Sequence, residues 1–183
     1  KAFYIERCHA QAVRLTSLLH DISMLNKLDE SSDSFEMVEI NITEVVEGVK
    51  QDVSLALEEK NMHIEAELPK ELIIKGNTLQ IYSIFRNLID NSILHAGVGT
   101  TVFIECYRTD SEYIYLSVAD NGVGVESKHL NKIFDRFYRV DKGRSRKLGG
   151  TGLGLSIVKN SIQFHQGRIS AKNRKGGGIE FLF

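Results

Sequence analysis

Apolar residues near the start of the chain recur at Ile5, Cys8, Ala12, Leu15, Leu19 and Ile22, alternately three and four positions apart. That spacing draws a stripe along one face of a helix. Leu18, Leu25 and Leu28 widen the stripe beyond a two-stranded seam, which suits a helix packed in a bundle. One helix cannot bury its own stripe, so this face predicts a partner helix or a second copy of the chain. The run Asp29-Glu30-Ser31-Ser32-Asp33-Ser34 then breaks the pattern with linker chemistry. The organisation predicted is a helix over 1–30, a linker over 31–36 and a domain over 37–183.

Beyond the linker the period changes repeatedly. A short strand is expected over 35–40. Asn41 caps a helix running to about Lys60, with Glu44 three residues on as its reciprocal partner. Residues 62–68 alternate as a strand, Pro69 turns the chain, and 72–75 form a second strand. Residues 79–95 read as a helix with Ile81, Ile84, Phe85 and Leu88 on its core face and Ser92 at that face's margin. A hairpin is predicted from 102–108 and 113–119, joined by Thr109-Asp110-Ser111. A loop-rich stretch over 120–150 precedes a helix from Gly152 to about Phe164, which Gly167 stops. Strands over 168–173 and 179–183, joined by Lys175-Gly176-Gly177-Gly178, end the chain. The fold class predicted is α+β: a two-layer α/β sandwich, its mixed, largely antiparallel sheet covered by helices on one face, after one long amphipathic helix.

Composition narrows this only slightly. The 183 residues are 42% apolar and 26% charged, the balance of a globular domain able to bury a core without disulfides or metals. The net charge of −1, from 23 basic and 24 acidic residues, argues against nucleic acid as a partner and against contact with an anionic membrane. No apolar run reaches the ~20 residues of a membrane span. Cys8 and Cys106 lie far apart without metal or redox spacing, as in a reducing cytoplasm. A first residue that is Lys1 rather than Met, and a strand-like ending at Phe183, predict a piece of a longer protein.

Four clusters carry candidate chemistry. Asn87 and Asn91 stand one turn apart on the 79–95 helix, where two amides can present oxygens to a cation or phosphate. Taken alone they read rather as two surface asparagines. Asp120-Asn121-Gly122-Val123-Gly124 follows a strand end, placing one carboxylate beside backbone that a ligand can approach closely. Gly149-Gly150-Thr151-Gly152-Leu153-Gly154-Leu155 runs into an apolar helix, an arrangement that seats an anion on free N–H groups. It is neither a Walker loop nor a Rossmann fingerprint. Lys142, Arg144, Arg146 and Lys147 just before it form a basic flap suited to a polyphosphate.

The order and spacing of these clusters, with Ile133-Phe134-Asp135-Arg136-Phe137-Tyr138-Arg139 between the second and third, closely resembles the ATP-binding catalytic domain of bacterial sensor histidine kinases. Gyrase, Hsp90 chaperones and mismatch-repair ATPases share that fold. The resemblance covers residues 35–183 and extends to the preceding helix, which is similar to the second helix of the family's dimerisation hairpin. It implies ATP and Mg²⁺ as cofactors, with Asn91 helping to hold the metal on the triphosphate and Asn87 beside it. It implies Asp120 as the reader of the adenine amino group, with Gly122 and Gly124 shaping the pocket floor. Phe134 and Phe137 would belong to an aromatic box bordering the lid. Gly150, Thr151, Gly152, Leu153, Gly154 and Leu155 would wrap the phosphates, with Arg139, Arg144, Arg146 and Lys147 as further phosphate contacts. Leu94 and His95 stand where the family commonly has a lysine and an aromatic. Two readings of His95 stay open, contact with the nucleotide and simple packing. Asn77 replaces a frequent aspartate, and a role in the fold is expected of it.

Asn87 also stands where hydrolytic relatives carry a glutamate, and an amide cannot take a proton from water. Transfer to a neutral imidazole needs no such base. The function implied is therefore ATP-dependent transfer of a γ-phosphoryl group to a histidine, for relay to the aspartate of a response-regulator receiver domain. A catalytically silent nucleotide-binding module is the alternative, ahead of an anti-sigma-type serine kinase or an ATPase. His20, in His20-Asp21-Ile22-Ser23-Met24, lacks the basic residue and proline of the family's acceptor motif. About nine residues follow it before the linker, against the roughly 20–30 of a second bundle helix. The acceptor is therefore expected on a helix outside this chain. A homodimer through the hairpin and a cytoplasmic location are the remaining expectations.

Overall fold

The computed structural model describes residues 12, 15–16, 19, 22–23, 35–140 and 150–183. Ala12, Leu15, Thr16, Leu19, Ile22 and Ser23 are helical and all exposed, Leu15 by 59% and Leu19 by 62%. The predicted apolar stripe is thus present at these positions and uncovered among the described residues.

The domain starts with a small antiparallel ribbon. Strand β1 (Val38–Asn41) pairs with β3 (Ile73–Gly76), Ile40 lying opposite Ile74. Asn41 then caps helix α1 (Ile42–Asp52), its Oδ1 accepting the N–H of Thr43 at 3.2 Å and that of Leu72 at 3.3 Å. Glu44 does not return to the cap's backbone as a capping box would; its Oε1 accepts the Asn41 side-chain amide. The single helix predicted to Lys60 is divided at Val53, whose φ of −102° and ψ of 2° leave the helical region. Helix α2 (Ser54–Glu59) resumes at once.

The main sheet has five strands in the order β2 (His63–Glu67), β4 (Thr101–Thr109), β5 (Ile114–Asp120), β7 (Ile179–Leu182), β6 (Ser170–Asn173). Only the β2–β4 pair is parallel. The β4–β5 hairpin turns on Asp110, whose Oδ1 accepts the N–H groups of Glu112 and Tyr113. Alternate residues Val102, Ile104, Leu116, Val118, Ile179 and Phe181 are buried and join one core with residues of the helices. The other face carries Glu65, Glu105 and Lys172 in solvent, with the Arg174 guanidinium over the Phe103 ring at 4.6 Å. Period-2 alternation of this kind needs a covering layer on one side only.

Helix α3 (Thr78–His95) spans 18 residues. It buries Ile81, Ile84, Phe85, Leu88, Ile89 and Ile93. Asn77 caps it, accepting the Gln80 N–H at 3.1 Å, while its own side-chain amide donates to the Glu36 carbonyl. Its fold-level role is therefore explicit. After the short helix α4 (Ser127–Leu130) and residue 140, description resumes at Gly150 and runs into helix α5 (Gly154–Phe164). Helices α3 and α5 pack antiparallel: Asn77 at the start of one meets His165 beyond the end of the other, and Asn87 meets Gly154. The α+β two-layer architecture and its mixed sheet are as predicted, with the β1–β3 ribbon as an unforeseen second sheet.

Candidate functional site

Asp120 ends β5 with only 2% of its surface exposed. A buried carboxylate needs donors, and two are present. Ser92 Oγ donates to Oδ2 at 3.0 Å, and the Gly122 N–H donates to Oδ1 at 2.9 Å. Each oxygen retains acceptor capacity for a further donor. Ser92 comes from α3, so the acid is held to the same helix that carries the paired amides.

The glycines around Asp120 are required by close approach. A Cβ on Gly122 would lie 2.3 Å from the Ala96 carbonyl oxygen, so this loop packs on the end of α3. Gly178 has φ +91°, and a Cβ there would lie 1.8 Å from the Asp120 carbonyl oxygen. The β6–β7 turn thus backs the acid from behind. The sequence signal for this was the Gly176-Gly177-Gly178 run, which reads locally as a turn and nothing more. Ser92 was visible only as a small residue near the core face.

Asn87 and Asn91 are half-buried on α3. The Asn87 amide donates to the Ser83 carbonyl and hydroxyl at 2.9 and 3.0 Å, which fixes its orientation and turns Oδ1 toward α5. A Cβ on Gly154 would stand 2.7 Å from that oxygen. Asn87 and the start of α5 are therefore adjacent. The first N–H groups of a helix lack intrahelical partners and carry partial positive charge.

The glycine loop reaches α5 through Gly152, at φ +76°. Its carbonyl accepts the Phe137 N–H at 2.8 Å, and Thr151 Oγ1 accepts the Leu153 N–H. Leu153 is fully buried and anchors the helix, whereas Gly150 faces open space. Phe137 is 63% exposed at φ +63°. The Phe134 ring meets Phe181 of the core edge-on at 6.2 Å; the lid it is expected to border lies outside the described residues. Gly124, at φ +68°, packs against Asn173 and Gly178. Lys142, Arg144, Arg146, Lys147 and His20 lie outside the described residues.

His95 closes α3. Burial pushes its imidazole below the usual histidine range, and the charges of Lys60 and Arg139 push the same way, with Asp120 opposing them. His95 directly precedes Ala96, the residue on which the Gly122 loop packs. Lys60 is held by the Ile93 carbonyl.

One buried acceptor, two amides, and a helix start behind a glycine loop suit a purine with a phosphate tail. No cluster of three His, Cys, Asp or Glu side chains exists among the described residues. The hard amide oxygens of Asn87 and Asn91 are donors of the class that would suit Mg²⁺, which takes one or two protein oxygens beside substrate phosphates and water. No helix of the described residues is long and apolar enough to cross a membrane.

Comparison with known proteins agrees with this geometry. Residues 76–183 match the family described as Histidine kinase-, DNA gyrase B-, and HSP90-like ATPase. The sensor histidine kinase WalK of Bacillus subtilis is 35% identical over 174 residues, 93% of this chain and 28% of WalK. The chain spans between 28% and 43% of the curated relatives it matches. Full-length ShkA, solved in complex with AMPPNP, superposes on the whole chain with a TM-score of 0.82 at 24% identity, the match covering 38% of ShkA. Histidine kinase ThkA, solved in complex with the response regulator protein TrrA, gives a TM-score of 0.72 at 21% identity, covering 94% of this chain and 48% of that one. At these identities the two structures establish the fold.

Proposed function

Because the chain belongs to the histidine kinase-, DNA gyrase B-, and HSP90-like ATPase family, we propose that residues 37–183 bind Mg·ATP and serve as the kinase part of a two-component sensor. The γ-phosphoryl passes from ATP to an imidazole nitrogen: the bridging P–O bond breaks, a P–N bond forms and ADP leaves. The acceptor histidine lies on a dimerisation helix outside this chain, so the chain alone does not autophosphorylate.

The observation that carries this reading is Asp120, a carboxylate buried to 2% exposure that keeps acceptor capacity after satisfying Ser92 and Gly122. Such a group recognises an amino group in a dry pocket, as the adenine N6 requires. The triphosphate would run from there past Asn91 and Asn87 to the N–H groups that open α5. Asn91 is the protein oxygen assigned to the metal, which supplies charge neutralisation of the phosphates. Asn87 accepts no proton, so transfer depends on positioning rather than on an activated water. His95 and Arg139 border the base end, and Arg146 and Lys147 are assigned to the phosphates.

Residues 1–30 act as one half of a dimerisation hairpin, with 31–36 as linker. Leu15, Leu19 and Ile22, exposed by 59%, 62% and 41%, are the face a second copy and the missing helix would cover. The relay partner is a response-regulator receiver domain, the class of partner seen with ThkA, and the site works in the cytoplasm, where ATP is available.

Titration of the chain with ATP, with and without Mg²⁺, tests the site. Asp120→Asn replaces an acceptor with an amide that presents a donor, and affinity should fall by roughly tenfold or more, about 1.4 kcal/mol. Unchanged affinity in that variant overturns the placement of the base. Adding the acceptor-bearing hairpin with Mg·ATP should give acid-labile phosphohistidine on the hairpin; tight binding without it would leave a silent nucleotide module.

A further inference from the structure

Two side chains at the α3–α5 interface have no part in the site described. Gln80 is fully buried, as is Ser161. Among the described residues the Gln80 amide nitrogen, its oxygen and the Ser161 hydroxyl make no hydrogen bond. Three unpaired polar atoms in a buried interface are costly.

Their positions are set by the helix period. On α3, Asn77, Gln80, Ile84 and Asn87 follow three-four-three spacing and share one stripe. On α5, Gly154, Val158, Ser161 and the following His165 follow four-three-four spacing. Both ends of the seam are fixed by contact. The Asn77 N–H donates to His165 Nε2 at 3.1 Å, and Asn87 Oδ1 abuts Gly154. Seven residues back from Asn87 is Gln80; seven residues on from Gly154 is Ser161. Seven residues are two helical turns, so in an antiparallel pair Gln80 and Ser161 face each other.

We propose that Gln80 and Ser161 are positioning residues, joined across the seam through one buried water, and that this link sets the register of α5 against α3. A buried water typically joins groups of this kind, making two to four hydrogen bonds. A buried polar pair in a helix seam favours one register because a shifted alignment strands it. Here register has a direct consequence. A slip of α5 would move Gly154 off Asn87 and displace the N–H groups that open the helix. The link thus holds the phosphate end of the site from two turns away. The inference rests on the Mg·ATP reading of that site.

The test separates affinity from stability. Mg²⁺ with a non-hydrolysable ATP analogue is titrated into the 183-residue chain and its variants, with urea unfolding measured in parallel. Ser161→Ala should weaken binding by roughly fivefold or more, the scale of one lost buried hydrogen-bonded link. Gln80→Met/Ser161→Val removes both polar groups, so stability should return to the parent level or above while binding stays weak. Ile162→Val, a buried truncation on the same helix, controls for destabilisation and should bind as the parent does. Binding by the double variant within about twofold of the parent overturns the proposal; should that variant fail to fold, equal losses in Ser161→Ala and Ile162→Val do so. A parent that binds no nucleotide refutes the Mg·ATP reading instead.

Discussion

Gly154→Ala sets two effects of opposite sign against each other. Replacing glycine by alanine in a helix favours the helix by up to about 1 kcal/mol, and by less in the first turn. The added methyl, however, would stand 2.7 Å from Asn87 Oδ1, closer than carbon and oxygen approach. The oxygen belongs to a side chain that can swing away. Swinging it breaks the two bonds its amide makes to Ser83 at 2.9 and 3.0 Å. At about 0.5–1.5 kcal/mol each, that loss is roughly 1–3 kcal/mol. The clash therefore wins, and Gly154→Ala should destabilise the parent by roughly 0–2 kcal/mol.

The same substitution should change sign when Asn87 is truncated. In an Asn87→Ala background there is no oxygen to meet and no Ser83 bond to lose, so only the helical preference remains. Gly154→Ala should then stabilise by a few tenths of a kcal/mol to about 1 kcal/mol. The cycle of four proteins, measured by urea unfolding, should yield a coupling of roughly 1–3 kcal/mol. A coupling within error of zero would refute the contact between Asn87 and the start of α5.

Other outcomes follow from the same geometry. Gly178→Ala places a methyl 1.8 Å from the Asp120 carbonyl oxygen at φ +91°, and since backbone must move, a loss above ~2 kcal/mol is expected in urea unfolding; parent-like stability would contradict that packing. Stability should also decline as pH falls below about 6.5, the unperturbed histidine value. Burial depresses the imidazoles of both His165 and His95, so folding favours their neutral forms; that contribution is complete above the unfolded value and is lost as pH drops through the folded ones. Each can add at most about 1.4 kcal/mol per pH unit to the slope, and His165→Gln should flatten the pH 5–7 profile measured by urea midpoints. An unaltered slope would remove His165 from the account.

Helix α3 was legible because its information is local. The apolar period, the capping Asn77 and the amide pair all sit on one element, and 79–95 was read within a residue of the observed span. Asp120 was equally visible, as an acid between a strand end and two glycines. What escaped notice was long-range. Nothing near Val53 announces that the helix breaks there, since valine tolerates both conformations. Ser92 reads as a small helical residue until β5 brings Asp120 within 3.0 Å. His165 offers one nitrogen to the Ser161 carbonyl and the other to the Asn77 N–H, fixing a neutral tautomer, but its partner is 88 residues away. The edge-on contact of Phe134 with Phe181 is likewise set by a strand distant in the sequence.

These contacts divide the site into two walls of different kind. At 1.5 Å per residue the 18 residues of α3 make a rod about 27 Å long. Asn87 and Asn91, Ser92 with its hold on Asp120, and His95 are all borne by it. Their spacing is helical geometry and cannot vary without unwinding a buried helix. The facing wall, α5, meets that rod through contacts along the seam, and its glycine loop is tied to the stretch before residue 141 by the Phe137 N–H bond to Gly152. That bond joins the two stretches flanking residues 141–149, and both of its residues are at positive φ, +63° and +76°. Phe137 bears a side chain that disfavours this conformation, and it is largely exposed, so burial does not compensate for it. Removing the strain with Phe137→Gly should therefore leave the fold's stability unchanged or raised, because glycine accepts the left-handed region freely. If urea unfolding instead shows a loss of ~2 kcal/mol or more, the Phe137 ring contributes packing that its 63% exposure denies, and the division between a fixed wall and a tethered one fails at its hinge.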